Sequence, residues 1–338
     1  MPPDPPTGRV RPATMQDVAA RAGVSRALVS LVFRDLPGAS EATRLRVREA
    51  AAAIGYSPDQ RARLLSRRTS GLIGVQFGVE HPFHGELVEA LYTASERQGY
   101  ELALSAVAPS RSEDRAVESL LSYRCEALLL LGPTQPTAAL ERLAGTVPVV
   151  VVARQLRSRS VDSVRTDDRH GAAQATEHLL GLGHVRIAHV DGGDAPGAAE
   201  RRRGYRQAME RAGLAAEVQV LRGGLTEESG AAAGAQLLAA HSRPTAVLAF
   251  NDRCALGLLQ SVGTAGLAVP GDLAVVGYDD SRLARLPWVD LTTVRHDVAV
   301  LADRAVAQAL ARATGDGARA AVVVPPQLVV RTSSGPPR

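Results

Sequence analysis

The chain has 338 residues, 45% of them hydrophobic, and a formal net charge of +4, which suits one small and one large domain with substantial cores. Its 39 Lys and Arg positions are all arginine, and this excludes Schiff-base chemistry and a phosphate-binding Walker lysine. Cys125 and Cys254 are the only cysteines, so a disulfide framework is excluded and we interpret both as small core residues. No apolar run could span a bilayer and the first residues carry no secretory signal, so we expect a cytoplasmic protein without a membrane partner.

Positive charge is concentrated at the front of the chain. The first 70 residues contain twelve arginines and six acidic residues, whereas the remainder is slightly acidic. A basic segment of this kind is the electrostatic signature of a nucleic-acid-binding domain. The proline-rich residues 1–12 precede it, and we predict that they form a disordered tail.

Residues 14–33 predict two short helices joined by a tight turn. Thr14 and Asp17 form a capping box at the start of the first helix, which runs to about Ala22. Gly23 favours the chain reversal, and Ser25 can cap a second helix that ends near Phe33. Apolar residues at helical spacing predict a small shared core: Val18, Ala19, Ala22, Val24, Leu28, Val29 and Val32.

The outward face of the second helix carries Arg26, Ala27, Ser30 and Leu31. An exposed first turn with Arg and a small apolar residue suits the DNA major groove, where Arg can bind guanine and a methyl group can contact thymine. We therefore interpret residues 13–57 as a helix-turn-helix domain. The alternative is an ordinary helical hairpin with one solvated arginine.

A third helix is predicted over roughly residues 41–54, capped by Ser40 and ended by Gly55. We expect Leu45, Val47, Ala50, Ala51 and Ile54 to form its apolar face. Residues 58–70 then predict one or two helical turns and a linker, because a helix this short is marginal in water.

From Leu72 onwards, apolar strands alternate with helices in two series. Strands of this composition joined by helices predict parallel sheets, and two series predict two lobes. Ligands of such sheets bind at the carboxyl ends of the strands. The polar residues that follow those strands suit a polyhydroxylated ligand: residues 80–84, Arg154, Asp191, residues 251–252 and residues 278–280.

Other chemistries are disfavoured. His81 and His84 lack a third nearby metal ligand, and the glycines near residues 181 and 192 lack the dinucleotide-binding spacing. We interpret the Asp167-Asp168 pair and His184 as helix caps rather than acid–base groups. We therefore predict no catalytic residues, no metal site and no cofactor.

Several segments resemble the LacI/GalR family of transcriptional regulators in family order over nearly the whole chain. These segments are TMQDVAARAGVSRALVS, SEATRLRVREAAAAIGYSPD to ARLL, TSGLIGV, HLLGLGHVRIAHVDGG, RPTAVLAFNDRCALG, LAVVGYDD, LTTVRHD and QLVVRTSSG. The resemblance implies an all-α helix-turn-helix head and a type I periplasmic-binding-protein-like α/β core of two parallel-sheet lobes. It also implies a hinge helix and linker at 58–70 and an effector-binding and dimerisation domain at 71–335. Lobe 1 would comprise about 71–161 and 293–322, and lobe 2 about 164–291 and 325–335.

The resemblance implies DNA contacts from both the head and the hinge. We expect base reading by Arg26, Ala27 and Leu31, phosphate contacts by Ser25 and Ser30, and a wedge at Leu65 in the central minor groove. Thr14 and Arg63 complete this expected set. Asp59 departs from the family's usual Asn or Ser and brings negative charge near phosphate.

The implied effector contacts are Phe83, His84, Arg154, Arg201, Asn251 and Asp279. Arg201 and Asp279 would clamp vicinal hydroxyls, and Leu225 stands where many members carry an aromatic residue. The expected function is that of a homodimeric repressor on an inverted-repeat operator, controlled allosterically by a sugar or sugar derivative acting as inducer or co-repressor. The alternatives are a sugar-modifying enzyme and an exported sugar-binding receptor of similar fold.

Overall fold

The computed structural model describes residues 11, 13–33, 35–56 and 70–337. The chain divides into two compact units, and the division falls between Ser70 and Gly71. The predictions for the tail and the hinge, including Asp59, Arg63 and Leu65, fall outside the described residues.

The first unit contains α1 (Met15–Ala22), α2 (Arg26–Phe33) and α3 (Glu41–Ala53). The capping box is confirmed: the amide of Asp17 donates to Thr14 Oγ1 at 3.3 Å, and the amide of Thr14 donates to Asp17 Oδ2 at 2.7 Å. Gly23 has a φ of 64° at the turn. Ser25 Oγ accepts from the amide of Leu28, as predicted for the cap of α2.

The three helices share one core, centred on Val18, Val29, Val32 and Val47, each at most 1% exposed. The prediction for the apolar face of α3 was wrong at Leu45, which is 60% exposed. Leu45 lies two residues from Val47, and two helical steps of about 100° turn a side chain to the opposite face.

Lobe 1 of the second unit is built on a six-stranded parallel sheet in the order β11-β5-β4-β3-β1-β2. Its strands are β1 (Leu72–Gly78), β2 (Glu101–Val107), β3 (Ala127–Leu131), β4 (Val149–Val152), β5 (Asp162–Thr166) and β11 (Ala321–Val324). One face packs against α4 (Pro82–Arg97) and α11 (Val298–Ala313), and the other against α5 (Glu113–Ser122) and α6 (Thr137–Ala144).

Lobe 2 has a second six-stranded sheet in the order β12-β10-β9-β8-β6-β7, in which β12 alone runs antiparallel to its neighbour. Its strands are β6 (Ile187–Asp191), β7 (Gln219–Arg222), β8 (Ala246–Ala249), β9 (Ala274–Asp279), β10 (Thr292–Arg295) and β12 (Gln327–Val329). One face packs against α7 (Asp168–Gly181) and α8 (Ala198–Arg211), the other against α9 (Glu227–Ala239) and α10 (Asp252–Thr264).

The chain crosses between the lobes slightly later than the predicted boundaries. Strand β5 stays in the lobe 1 sheet to Thr166, and β10 stays in the lobe 2 sheet to Arg295. The third crossing lies between Val324 and Gln327. These strands carry polar residues that are nonetheless buried: Asp162 is fully buried and accepts from the amide of Ala320 at 2.6 Å.

Both cysteines lie in apolar cores, as predicted. Burial raises the pKa of the Cys125 and Cys254 thiols to about 11, so neither is a reactive thiolate. Across residues 11–337, wherever the structure describes them, no helix is both long and apolar enough to cross a bilayer.

Candidate effector cleft and nucleic-acid interface

A cleft lies between the two lobes, where the strands of both sheets end. Five of the six expected effector contacts line it: Phe83, His84, Arg201, Asn251 and Asp279. Leu225, in the position of the family's aromatic residue, lines it as well. This is the arrangement expected of a ligand site in an open α/β sheet.

Close packing of α7 against α8 places the cleft's arginine. A Cβ atom at Gly204 would lie 2.1 Å from the carbonyl oxygen of Arg169, and one at Gly171 would lie 2.4 Å from Tyr278 Oη. Only glycine therefore allows these helices and β9 to approach so closely. The approach brings Arg201, one helical turn before Gly204, against the start of α7.

Arg201 is 6% exposed and held on every side. Its guanidinium lies 3.5 Å from the ring centroid of Tyr278 and 4.7 Å from that of Phe250. Nε donates to Asp168 Oδ1 at 2.9 Å, and Nη1 donates to the carbonyl of Phe250 at 2.6 Å. Nη2 remains 3.7 Å from Asp279 Oδ1, so it and the carboxylate can both bind a ligand hydroxyl between them.

Asp168 is therefore the main partner of Arg201. The sequence did not predict this role for Asp168. The capping prediction holds for Asp167, whose Oδ1 accepts from the amide of His170 at 3.2 Å. One residue later, Asp168 is 6% exposed and lines the cleft. Of the two adjacent carboxylates, the first therefore caps α7 and the second binds Arg201 at the cleft.

The lobe 1 wall of the cleft presents a neutral imidazole. The amide of Gly78 donates to His84 Nδ1 at 3.0 Å, so the neutral ring carries its proton on Nε2. Burial, reinforced by neighbouring His81, lowers the pKa of His84 to about 3. Nε2 thus supplies a hydrogen-bond donor to the cleft without adding charge.

His296, which the sequence analysis also missed, joins the lobes at the floor of the cleft. Its Nδ1 hydrogen-bonds Thr166 Oγ1 at 2.6 Å, and its Nε2 lies 3.3 Å from Asp279 Oδ1. Its ring centroid lies 4.3 Å from that of Phe83, and the two ring planes are tilted by 38°. Burial, followed by the charge of Arg201, lowers the pKa of His296 to about 3.

Two carboxylates end the lobe 2 side: Asp252 is 1% exposed, and the side chain of Asp279 is 17% exposed. Burial raises the pKa of Asp279, and burial followed by the charge of Asp279 raises that of Asp252. Asp252 accepts from Thr293 Oγ1 at 2.6 Å and from the amide of Ser281 at 2.7 Å. It therefore stabilises the loop behind Asp279, while Asp279 itself lines the cleft.

Asn251 lines the cleft and also stabilises the local structure through two hydrogen bonds. Its Oδ1 accepts from the amide of Cys254 at 2.8 Å, capping α10, and its Nδ2 donates to the carbonyl of Leu225 at 3.1 Å. Both side-chain groups are engaged, so Asn251 positions Leu225 against the cleft.

The structure places Arg154 outside this lining. Arg154 follows Ala153, which has a φ of 61°, and its Nη1 donates to the carbonyls of Pro133 and Gln135 at 2.8 and 2.7 Å. The cap predicted at His184 is confirmed for its backbone, whose amide donates to the carbonyl of Leu179 at 3.2 Å at the end of α7. The His184 ring itself bonds Thr245 Oγ1 and the carbonyl of Gly335.

Metal binding finds no support among the residues that the structure describes, where no group of three or more His, Cys, Asp or Glu could hold an ion. The rings of His81 and His84 lie 4.6 Å apart. However, the amide of Gly78 already occupies Nδ1 of His84.

The head presents the first turn of α2 to solvent. Ser25, Arg26 and Ala27 are exposed there, whereas Ser30 and Leu31 are half-buried. Thr14 is half-buried and its hydroxyl donates to Asp17. The exposed arginine and methyl group thus sit together at a helix start, as the sequence predicted.

Comparison with known proteins identifies the family. Residues 14–59 match the bacterial regulatory proteins of the lacI family, and residues 176–334 match the periplasmic binding protein-like domain. The HTH-type transcriptional regulator GalR of Escherichia coli is 36% identical over 306 residues, 89% of each chain. The ribose operon repressor of Escherichia coli is 35% identical over 300 residues, 87% of this chain and 91% of the repressor.

Among solved structures, the lac repressor dimer bound to operator and the anti-inducer ONPF matches 96% of this chain and 100% of that chain at 28% identity, with a TM-score of 0.83. The chain therefore belongs to the LacI family of bacterial regulatory proteins, and it is a DNA-binding transcriptional regulator rather than an enzyme.

Proposed function

We propose that this regulator is a cytoplasmic homodimeric repressor that binds an inverted-repeat operator through α2 and a neutral sugar or sugar derivative in the interlobe cleft. The observation that carries the sugar assignment is the arrangement of Arg201, Asp168 and Asp279. In this arrangement a fixed donor, Arg201, and a carboxylate acceptor, Asp279, lie 3.7 Å apart on the lobe 2 wall of the cleft.

The chemistry of the cleft favours an uncharged, hydroxyl-rich ligand. A sugar hydroxyl both donates and accepts, and the cleft supplies acceptors at Asp168 and Asp279 and donors at Arg201 and His84. The carboxylate of Asp168, which already pairs with Arg201, would repel a phosphate group close to that arginine. Leu225 and Phe83 offer apolar surface for the ligand's carbon skeleton. The name of one relative, the ribose operon repressor, agrees with a sugar.

Contacts across the cleft explain how a small ligand would influence the lobes. Arg253 of lobe 2 donates to the carbonyl of Glu80 in lobe 1 at 2.7 Å, and the ring of Phe83 contacts that of His296. A ligand held by both lobes favours the arrangement that makes these contacts. If that arrangement also binds operator differently, ligand and operator affinities are coupled reciprocally.

For DNA recognition, we assign base contacts to Arg26, Ala27 and Leu31 and phosphate contacts to Ser25 and Ser30. The exposed first turn of α2 is the support for this assignment. Arg26→Ala should cost about 1–3 kcal/mol for the operator and little on random DNA. The matched control is Arg46→Ala, which removes an exposed arginine from α3.

Binding is measured by fluorescence anisotropy on an operator selected from random duplexes, with the sequence-randomised duplex as competitor. If Arg26→Ala weakens operator and random DNA equally, or if Arg46→Ala reduces discrimination as much, α2 does not read bases as proposed.

The sugar assignment is tested by a thermal-shift screen of the full-length protein against pentoses, hexoses and disaccharides. A ligand of the native cleft raises the melting temperature by mass action. Asp279→Asn should abolish that shift, whereas Asp303→Asn, at an exposed site on α11, should preserve it. A shift that survives Asp279→Asn would place the sugar elsewhere.

A further inference from the structure

A groove outside the sugar cleft collects positive charge from both lobes. It lies where the chain passes from β5 to α7. Five arginines line it, the first two from lobe 1 and the others from lobe 2: Arg157, Arg165, Arg169, Arg203 and Arg211. We name this surface the arginine groove.

We propose that the arginine groove is a second binding site, specific for a small polyanion that carries at least two phosphate groups. Two carboxylates share the lining, Asp167 and Glu200. Glu200 pairs with Arg203 at 2.6 Å, and Glu177 beside the groove pairs with Arg211 at 3.0 Å. The arginines outnumber these acids, so the groove keeps an excess of positive charge.

The arginines nearest the lobe crossing are oriented before any ligand arrives. Arg169 Nε donates to Gln207 Oε1 at 2.6 Å, and Arg165 Nη1 donates to the carbonyl of Thr166 at 3.1 Å. Each bond uses one of the five N–H donors of a guanidinium. The remaining donors form the planar fork that binds phosphate oxygens in pairs.

The distribution of charge assigns different ligands to the two sites. In the sugar cleft, Arg201 is neutralised by Asp168 and faces Asp279. In the arginine groove, Arg157 and Arg169 are exposed and approach the space from opposite lobes. A single phosphate satisfies one or two guanidinium groups, whereas a polyphosphate can engage both lobes.

Because the groove spans the crossing, the polyanion relieves repulsion between the arginines of the two lobes. It therefore favours the lobe arrangement in which these arginines lie close together. A ligand that biases the lobes from this side is coupled to any ligand that biases them from the cleft. The groove is thus a place where the phosphorylation state of a metabolite could adjust the same switch.

The test is calorimetric titration of the full-length protein with sodium tripolyphosphate, compared with sodium phosphate at equal ionic strength. We expect saturable binding of tripolyphosphate with an affinity about tenfold or more above that of phosphate, since additional charge-assisted hydrogen bonds form. The double variant Arg157→Ser/Arg169→Gln should weaken tripolyphosphate binding about tenfold or more.

The control Arg243→Ser/Arg304→Gln removes the same charge from exposed sites elsewhere on the large unit and should leave the affinity within about twofold. Glu200→Gln should tighten binding, because it releases Arg203 from its partner. An increase in affinity cannot arise from misfolding.

Three results would overturn the proposal. They are the absence of saturable binding, an equal loss in both double variants, and no gain from Glu200→Gln. An equal loss would mean general attraction to a basic protein, including its arginine-rich head. The single variants Arg157→Ser and Arg169→Gln should each lose affinity, and a loss confined to one of them would refute bridging of the lobes.

Discussion

The neighbouring carboxylates Asp167 and Asp168 allow a matched test of how the cleft is built. Both carry the same side chain at the start of α7, but one caps the helix and the other holds Arg201. Replacing each by Asn changes charge and little else. We predict that Asp168→Asn destabilises the large unit strongly and that Asp167→Asn hardly affects it.

The magnitude follows from burial. The side chains of Arg201 and Asp168 are each 8% exposed, and deleting one partner of a buried ion pair costs about 3–5 kcal/mol. The Asn oxygen can still accept from Arg201, and Asp279 remains nearby, so we expect about 2–3 kcal/mol for Asp168→Asn. Asn is as good a helix cap as Asp, so Asp167→Asn should change stability by less than about 0.5 kcal/mol.

Urea denaturation followed by far-ultraviolet circular dichroism measures both variants. With a denaturant slope near about 3 kcal/mol per molar, Asp168→Asn should lower the urea midpoint by about 1 M. Asp168→Asn should also weaken any sugar found by thermal shift, because Arg201 loses its anchor. Equal midpoints for the two variants would refute the claim that Asp168 is the structural partner of Arg201.

Further predictions test the head, the lobe 2 core and the packing that places the cleft's arginine. Val47→Ala should cost the head about 2 kcal/mol, whereas Leu45→Gln should stay within about 0.5 kcal/mol because its side chain is solvated; hydrogen exchange of the head amides compares them. Burial lowers the pKa of His189 to about 4, so its contribution to stability is complete above the unfolded pKa of about 6.5 and is lost as the pH falls towards 4. His189→Gln should therefore reduce the loss of unfolding free energy between pH 7.5 and pH 5 relative to the wild-type protein. Gly204→Ala should cost at least about 1–3 kcal/mol by forcing α8 away from α7, and a normal thermal midpoint with intact sugar binding would show that the two helices have room to separate.

Local signals made the head and the buried strands predictable. A cap depends on residues three positions apart, so Thr14 with Asp17, and Ser40, could be interpreted without knowledge of the fold. Continuous runs of Val and Leu likewise predicted β3 and β4, because strands covered on both faces must be apolar throughout. The burial of Leu45 was wrongly predicted because the apolar face of α3 consists largely of alanines and is therefore weakly defined in the sequence.

The strands β5 and β10, after which the chain passes from one lobe to the other, could not be predicted in the same way. Residues 162–166 and 292–295 mix polar with apolar side chains, and they become strands only because a neighbouring strand supplies the hydrogen-bonding edge. Their polar groups are satisfied at long range, as in the bond from Thr293 to Asp252 and that from Ala320 to Asp162. The spacing of residues along the chain cannot predict hydrogen-bond partners that are so far apart in sequence.

The same distinction explains the outcome at the cleft. Residues that directly follow apolar strands, such as Asp279, could be assigned to the sheet edge, whereas Asp168 and His296 follow strands that the sequence did not reveal. Arg154 follows β4 as predicted, but the positive φ of Ala153 precedes it and its guanidinium bonds two lobe 1 carbonyls. The position of Arg154 after a strand was therefore predicted correctly, but the sequence could not predict the direction in which its side chain points.

The regulator's charge pattern also constrains how its ligands can act. Inside the cleft, Arg201 is matched by carboxylates and the histidines are neutral, so a neutral ligand can enter and leave with little change in local charge. Such a ligand can then influence the lobes only by making different contacts in different lobe arrangements. A ligand that binds two arrangements equally well does not shift the equilibrium between them. Phe83 and His296 meet across the lobes and both line the cleft, so a ligand that contacted both rings would distinguish one lobe arrangement from another. We therefore propose that the contacts at this junction determine whether a bound ligand changes operator affinity.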